Sequence, residues 1–378
     1  MDHNRSKRPR RVVVIGARGL RGVIGGIETH CAALYPALAS EAPDLRFTIV
    51  VRRPYALDTD SRSNGLVEVA LPSPRGGALE TVVHTLHALL RFGRSADIVH
   101  LHGIGPAFFA PLARASGAWV VVTHHAADFE RPKWGLAGRF FLRLGEYFAG
   151  RFAHRVICVS DALRRDFLSR IPAAAPRTVT ITHGAALTPA DTPGQDERIV
   201  RAMGLEPGGY LLAVGRMDET KRFDDLIAAR AAARPGTLPL VIAGCAVGNR
   251  AYESELRAGA GPNIRFVGGR QGPELAALYR ECALFLHASA MEGFGLVILE
   301  ALVAGAPVRV SDIPVHREFG LPDECYFPVG DLVALDAIME EAALRGTPWP
   351  KAAAIAARYS LARAAAAHLA LYRALGAK

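Results

Sequence analysis

Short apolar runs alternate with longer Ala- and Leu-rich stretches, and the alternation occurs twice along the chain. The first set of runs lies at 11–15, 47–51, 97–101, 119–123, 156–159 and 178–182, and the second at 210–214, 238–243, 264–267, 283–287 and 307–310. Their hydrophobicity is continuous rather than alternating, as expected of parallel strands buried on both faces. Two such β/α series predict an α/β protein of two doubly wound domains, 1–190 and 208–355. Residues 185–207 are rich in Pro, Asp, Thr and Gly without strand periodicity. They predict a linker, placed at 191–207, with room for one short helix. The Ala-rich stretch 352–375, followed by Gly376, carries apolar residues at helical spacing and predicts a terminal helix or helix pair, with a helix over 356–378 returning towards the N-terminal domain. Ligands of doubly wound sheets sit beyond the carboxyl ends of the strands, so the working site is expected in the cleft between the domains.

Composition narrows the picture. At 378 residues, half hydrophobic and 21% charged, the chain can bury a large core, which excludes disordered and fibrous classes. The net charge of +9 is uneven: residues 1–190 carry 25 basic and 14 acidic side chains, and residues 191–378 carry 20 and 22. A cationic front half suits an anionic partner such as nucleic acid, a membrane surface or a phosphorylated substrate; an Arg-rich composition bias explains it equally. Five dispersed cysteines without a CxxC pair argue against a disulfide framework or a zinc knuckle and fit a reducing cytoplasm. The apolar run after the basic start is too short for a signal-peptide core, and no apolar stretch reaches the roughly 18 residues that span a bilayer.

The first run leads into Gly16, Gly19, Gly22, Gly25 and Gly26 before a helix from about Ile27. Backbone without Cβ atoms lets a phosphate approach, and the helix start adds a favourable dipole. A dinucleotide site would want an acid at the end of the second strand, where Arg52 and Arg53 stand; those suit a 2′-phosphate and keep an NADP enzyme open. Tight strand-to-helix packing explains the glycines as well.

In the second series, Gly215-Arg216-Met217-Asp218-Glu219-Thr220-Lys221 places two cations five residues apart beyond a strand end. Arg216 and Lys221 can clamp a pyrophosphate, each charge-assisted hydrogen bond being worth roughly 1.5–3 kcal/mol; pairing with Asp218, Glu219 and Asp224 in solvent is the plain alternative. Beyond the run at 283–287, Gly293, Phe294 and Gly295 leave amides open at a helix start. Glu300 falls about two turns into that helix, where a carboxylate needs a partner that ribose hydroxyls or an arginine would supply. Glu292 is left to face a sugar or to favour the helix dipole.

The Glu292 to Glu300 spacing resembles the E-x7-E motif of retaining family-four glycosyltransferases. Gly25-Gly26-Ile27-Glu28 is similar to that family's front glycine loop, Gly215-Arg216 with Lys221 to its diphosphate clamp, and Ser311-Asp312-Ile313-Pro314 with Glu318 to its segment after the motif helix. The resemblance implies two facing Rossmann-like domains of the GT-B type. It implies that Arg216 and Lys221 hold a nucleotide diphosphate, Glu300 the ribose, and Glu292 with the amides of Gly293, Phe294 and Gly295 the donor sugar. Gly25 and Gly26 would close on the phosphate, and His125 matches the family's active-site histidine near the transferred sugar. The segments Asp128-Phe129-Glu130-Arg131-Pro132-Lys133-Trp134-Gly135 and Leu142-Arg143-Leu144-Gly145-Glu146 resemble a bacterial surface-polysaccharide branch that includes rhamnosyl- and mannosyltransferases. Three positions depart from the family: His183-Gly184 replaces Asn-Gly, Arg222 a glycine, and Arg309 an apolar strand residue.

His100 and His102 share one strand face, and His124 and His125 end the neighbouring strand. Without a matching carboxylate cluster, a polar cleft edge is expected there rather than a metal site. Residues 134–155 combine Trp134, Phe140, Phe141, Leu144, Tyr147, Phe148 and Phe152 with Arg139, Arg143, Arg151 and Arg155. Such a helix either packs one face on a core or rests on an acidic membrane.

The resulting expectation is a retaining hexosyltransferase, moving a mannosyl, glucosyl or rhamnosyl unit from a nucleotide diphosphate sugar to a glycan or lipid-linked acceptor. It needs no cofactor and no metal, binds no nucleic acid, and works in the cytoplasm with or without peripheral contact at the inner face of an anionic membrane. A nucleotide-sugar epimerase, an NADP oxidoreductase and a non-catalytic glycan-binding scaffold are the rivals.

Overall fold

The computed structural model describes residues 8–56, 62–63, 65–185, 187, 192–230, 237–246, 250–342 and 352–375. The chain forms two compact units, one of Met1–Gly184 with Leu361–Lys378 and one of Ala185–Ser360.

The first unit is built on strands β1 (Arg10–Ile15), β2 (Leu45–Arg52), β3 (Arg62–Ser63), β4 (Leu66–Leu71), β5 (Ile98–His102), β6 (Trp119–His124), β7 (Arg155–Cys158) and β8 (Thr178–Thr180). They lie in the order β3-β4-β2-β1-β5-β6-β7-β8, parallel except for β3. Helices α1 (Gly26–Glu41), α2 (Gly77–Phe92), α3 (Ile104–Ala107), α4 (Ala110–Ala115), α5 (Leu136–Phe152) and α6 (Asp161–Arg170) connect them. The period-two geometry of β1 splits its side chains between two cores. Val12 and Val14 pack with Leu34, Tyr35 and Leu38 of α1 and with Leu369 and Tyr372 of the C-terminal helix, Leu361–Ala374. Val13 and Ile15 pack instead with Leu89 of α2, Ala149 of α5 and Phe167 of α6. The C-terminal helix is fastened by Arg10 Nη1 donating to the Tyr372 carbonyl at 2.9 Å and by an ion pair between Arg373 and Asp44 at 3.0 Å.

The second unit has strands β9 (Leu211–Val214), β10 (Leu240–Ala243), β11 (Ile264–Gly268), β12 (Leu284–His287), β13 (Val308–Ser311) and β14 (Tyr326–Phe327), ordered β11-β10-β9-β12-β13-β14. Every pairing in it is parallel. Its helices are α7 (Gln195–Ala202), α8 (Phe223–Arg230), α9 (Ala251–Ala258), α10 (Gly272–Arg280), α11 (Leu296–Ala304), α12 (Pro314–Arg317), α13 (Leu332–Glu341) and α14 (Ala352–Arg358).

Two boundaries differ from expectation. The stretch expected as a linker supplies α7, which the second unit holds through a two-oxygen contact from Arg280 of α10 to Asp196 at 3.0 Å. Of residues 356–378, only those from Leu361 belong to the first unit, because Ser360 pairs with Ala185 and Tyr359 packs on Phe294 and Phe319 in the second. Gly376 lies outside the described residues.

Candidate functional site

In the second unit, β9 ends at Val214 and runs through Gly215 into the Arg216 to Lys221 loop. Asp218 shapes this loop by accepting from the Thr220 amide at 3.1 Å and hydroxyl at 2.6 Å. The Thr220 carbonyl in turn accepts from the Ala290 amide at 2.9 Å and the Ser289 hydroxyl at 3.0 Å, tying this loop to the one that follows β12. Ser311, at the end of β13, donates to the Ser289 carbonyl at 2.6 Å. Three neighbouring strand ends are thus bound into one edge.

On this edge the Lys221 ammonium meets Glu292 Oε1, and the same oxygen accepts from His287 Nε2 at 2.8 Å. The Lys221 and Glu292 side chains are only 12% and 10% exposed. Burial alone would raise the Glu292 carboxyl, but the ammonium and the imidazole overcome it and hold the group well below the usual carboxylate range. His287 is kept neutral by burial. Among the described residues, His287, Glu292 and His316 form the single group able to gather round a metal, with ligand atoms within 4.8 Å of one another. Lys221 already neutralises that carboxylate, and His287 spends its Nε2 proton on it. The arrangement therefore suits an anionic ligand that shares the lysine better than a cation that must displace it.

Gly295, at φ 88, turns the chain into α11. Phe294, expected to touch a donor, is buried with its ring against Phe319 and Tyr359, so only its backbone is on offer. Glu300 accepts from the Tyr279 hydroxyl at 2.9 Å, and burial pushes its carboxyl up to about 7 against that bond. Arg222 holds φ 51, the left-handed conformation that favours the glycine it replaces, and pairs with Asp225 at 2.7 Å. Residues His287, His316 and Tyr279 escaped the sequence reading; a histidine ending a strand five residues before Glu292 was the available signal.

In the first unit, Gly16 at φ 134 lies where a Cβ would come within 2.3 Å of the His102 carbonyl oxygen, so close strand approach demands this glycine. Glu28 reaches back to accept from the Arg18 amide at 3.2 Å and fills the space beside Gly25, whereas a Cβ on Gly26 would meet nothing within 4 Å. Arg52 is buried against Glu80 of α2 at 2.8 Å, which removes the cation offered for a 2′-phosphate; Arg53 is exposed.

His125 joins a buried imidazole array rather than a set of four. Its Nε2 lies 3.0 Å from His102 Nδ1, and its ring stacks on His183, whose Nδ1 is 2.8 Å from His30 Nδ1. His183 thereby occupies the family's asparagine position as part of this array. His124 points to the opposite sheet face, bonded to Glu146 Oε1 at 2.8 Å beside Arg170, so the four histidines at the strand ends do not converge.

Helix α5 buries Leu142, Glu146 and Ala149, while Leu136, Phe140 and Tyr147 stand in solvent on a helix that also carries Arg139, Arg143 and Arg151. On α2, Leu79, Val83, Leu86 and Leu90 form a second exposed stripe at helical spacing. No helix among the described residues is long and apolar enough to cross a membrane.

Two Rossmann-like units of this build define the GT-B class of folds. Solved structures share it: the sucrose-phosphate synthase (tll1590) of Thermosynechococcus elongatus matches with TM-score 0.80 at 20% identity, covering 97% of this chain and 99% of that one. Anabaena Alr3699/HepE in complex with UDP and glucose matches with TM-score 0.74 at 18% identity, covering 97% and 100%. The chain belongs to glycosyltransferase family four: the family model "Glycosyltransferase Family 4" matches residues 24–188, and "Glycosyl transferases group 1" matches 197–327. Among curated relatives, the D-inositol 3-phosphate glycosyltransferase of Salinispora arenicola (strain CNS-205) is 32% identical over 188 residues, 45% of this chain and 42% of the relative. The lipopolysaccharide core biosynthesis mannosyltransferase LpsB of Rhizobium meliloti (strain 1021) is 33% identical over 153 residues, 38% and 42%. The phosphatidyl-myo-inositol mannosyltransferase of Mycobacterium leprae (strain TN) is 25% identical over 336 residues, 84% and 83%. The match to the first two of these spans less than half of each relative's length.

Proposed function

We propose that the chain is a retaining hexosyltransferase, moving a mannosyl, glucosyl or rhamnosyl unit from a nucleotide diphosphate sugar to a hydroxyl of a glycan or lipid-linked acceptor. The observation that carries this reading is the junction of Lys221, Glu292 and His287 at three bound strand ends, a buried cation with its counter-charge in place. Departure of the nucleotide builds charge on its terminal phosphate; Arg216, Lys221 and the amides before α11 would stabilise that charge more in the transition state than in the ground state. Glu300 would accept from the ribose, and Glu292 would orient the sugar while holding Lys221. Gly25 and Gly26 would offer backbone to the phosphate, and His125 a hydrogen bond to the transferred sugar. No carboxylate is assigned as a nucleophile: Glu292 is tied to a lysine and Glu300 holds its proton near neutrality, so the departing phosphate takes the acceptor proton. The names of the Rhizobium and Mycobacterium relatives favour a mannosyl donor and a lipid-linked acceptor.

The exposed stripes of α2 and α5 with their arginines support peripheral contact with an anionic membrane, where such an acceptor resides. The test is a thermal-shift panel of UDP-, GDP- and dTDP-sugars followed by mass spectrometry of products with lipid-linked acceptors. Conversion of the donor alone would favour an epimerase, and binding without nucleotide release a scaffold. Phe140→Ser with Leu136→Ser should abolish sedimentation with anionic vesicles; undiminished sedimentation would remove the membrane reading.

A further inference from the structure

Beneath His125 runs an unbroken line of hydrogen bonds. His102 Nδ1 lies 3.0 Å from His125 Nε2, and His102 Nε2 lies 2.6 Å from the Tyr35 hydroxyl of α1. The same hydroxyl is 3.1 Å from His100 Nδ1, and the Tyr372 hydroxyl of the C-terminal helix is 2.6 Å from that nitrogen. His100 Nε2 closes the line on the Thr123 hydroxyl at 2.7 Å. All these rings are buried, and the imidazoles packed against His125 are those of His30 from α1, His102 from β5, His183 after β8 and His368 from the C-terminal helix, each kept neutral by burial, while His124, next to it in sequence, turns to Glu146 on the other sheet face.

A neutral imidazole has one N–H and one lone pair, so the polarity of the line can be followed atom by atom. A phenol is a stronger acid than a neutral imidazole N–H, so each tyrosine hydroxyl is assigned as the donor to a ring nitrogen, and Tyr372, the nearer of the two, fills the lone pair of His100 Nδ1. The Tyr35 hydroxyl also bonds the Tyr372 hydroxyl, but an imidazole nitrogen is the stronger base, so the one proton of Tyr35 is directed to His102 Nε2 at 2.6 Å. His102 must carry its own proton on Nδ1 and donate it to His125 Nε2. His125 is left with its proton on Nδ1, the ring nitrogen not spent inside the protein.

We propose that Tyr35 and His102 are positioning residues that fix His125 as the Nδ1–H tautomer, so that it presents a hydrogen-bond donor, and not an acceptor, to the transferred sugar. This rests on the glycosyl-transfer reading for its consequence, though not for the tautomer itself. A donor at this point matches an oxygen that gains electron density or keeps its lone pairs free, such as a sugar hydroxyl oxygen. A ring locked by two bonds behind it spends no free energy on tautomer selection during turnover.

The test is nitrogen–proton correlation NMR on the full chain labelled with 15N-histidine, the His125 signal being assigned by its loss in His125→Gln. The expected spectrum shows Nδ1 protonated and Nε2 bare in the wild type, and a mixture of both forms in Tyr35→Phe. A wild-type His125 protonated on Nε2, or an unchanged tautomer in Tyr35→Phe, overturns the proposal. With the nucleotide sugar identified by the thermal-shift panel, Tyr35→Phe should lower kcat by roughly three- to tenfold, the worth of one hydrogen bond, with donor KM unchanged. Full kcat in this variant would remove the positioning role even where the tautomer stands. A wild type that turns over no nucleotide sugar would fail the functional reading, while the wild-type spectrum would still decide the tautomer.

Discussion

Lys221 and Glu292 were each legible as polar residues beside a phosphate-binding loop, but their mutual contact was not, because 71 residues separate them and only the pairing of β9 with β12 brings them together. That contact alters what a substitution should do. Removing Lys221 leaves a buried carboxylate with only His287 to offset it. We expect Lys221→Met to cost about 3 kcal/mol in urea unfolding, the low end for a broken buried pair because His287 can take up a proton. The Lys221→Met, Glu292→Gln double variant should recover most of that loss while remaining inactive. Strictly additive stability losses would show that the two side chains do not depend on each other. Glu300 carries a pH signature of its own. Its carboxyl sits at about 7 in the free protein because burial disfavours the charge. Ribose hydroxyls donate to the charged form, so nucleotide binding should release a proton, and affinity should fall up to tenfold per pH unit below about 7. Calorimetry in two buffers of different ionisation enthalpy reads that proton directly. Glu300→Gln should lose the pH dependence, and an unchanged slope would take the ribose role away from this residue.

The glycine loop after β1 shows how one element can serve two ends. Gly16 is required by the approach of β5, since a Cβ would strike the His102 carbonyl oxygen, whereas Gly26 begins α1 with open space at its Cα. Gly16→Ala should therefore destabilise the fold by about 1–3 kcal/mol through backbone strain. Gly26→Ala should melt no lower than wild type, helix propensity favouring alanine by up to about 1 kcal/mol, yet transfer the sugar markedly more slowly. Full turnover in Gly26→Ala would reduce the loop to packing. The central strands were legible because burial on both faces leaves them few polar positions, mostly buried histidines and threonines such as His100, His102, Thr123 and His124. Three strands were not: β4 carries Glu68 and is only partly buried over most of its length, and β3 and β14 are two-residue pairings. Helix α7 is the short helix for which the linker left room, and what was not legible is that it belongs to the second unit. Its polar sequence, with Asp196, Glu197, Arg198 and Arg201, reads as linker, and its order comes from the Asp196 contact with α10.

Sequence spacing could place histidines on a strand face, but not the convergence of α1, β5, the ends of β6 and β8 and the C-terminal helix that buries six of them together. Of the 13 histidines in the chain, only His287 and His316 belong to the second unit. In the first unit His30, His100, His102, His125, His183 and His368 are all buried, and burial lowers each below its ordinary value of 6.5, His183 to about 3 and His368 to about 4. Above pH 6.5 both folded and unfolded chains hold these rings neutral, and they add nothing to the pH dependence. As pH falls through 6.5, the unfolded chain takes up protons that the folded unit refuses, so stability falls by about 1.4 kcal/mol per pH unit for each ring. Six such rings, with His84 lowered to about 4 as a seventh outside the array, make the loss steep against a typical domain stability of about 5–15 kcal/mol, so this unit should unfold at a pH below 6.5 that the histidines set. The second unit, with only the two lowered rings His287 and His316, should lose stability less steeply below pH 6.5 and resist to lower pH, the loss of the Glu292 pair being added only below the ordinary carboxylate range. Hydrogen exchange followed by mass spectrometry between about pH 7 and 4 separates the peptides of the two units. We expect those of β1, β5 and the C-terminal helix to lose protection first, with a midpoint that moves to lower pH in His368→Leu, since that substitution removes one ring from the unfolded-state proton count. Simultaneous loss of protection in both units, or an unmoved midpoint in a folded His368→Leu, would mean that the buried imidazoles do not set the acid limit of this protein.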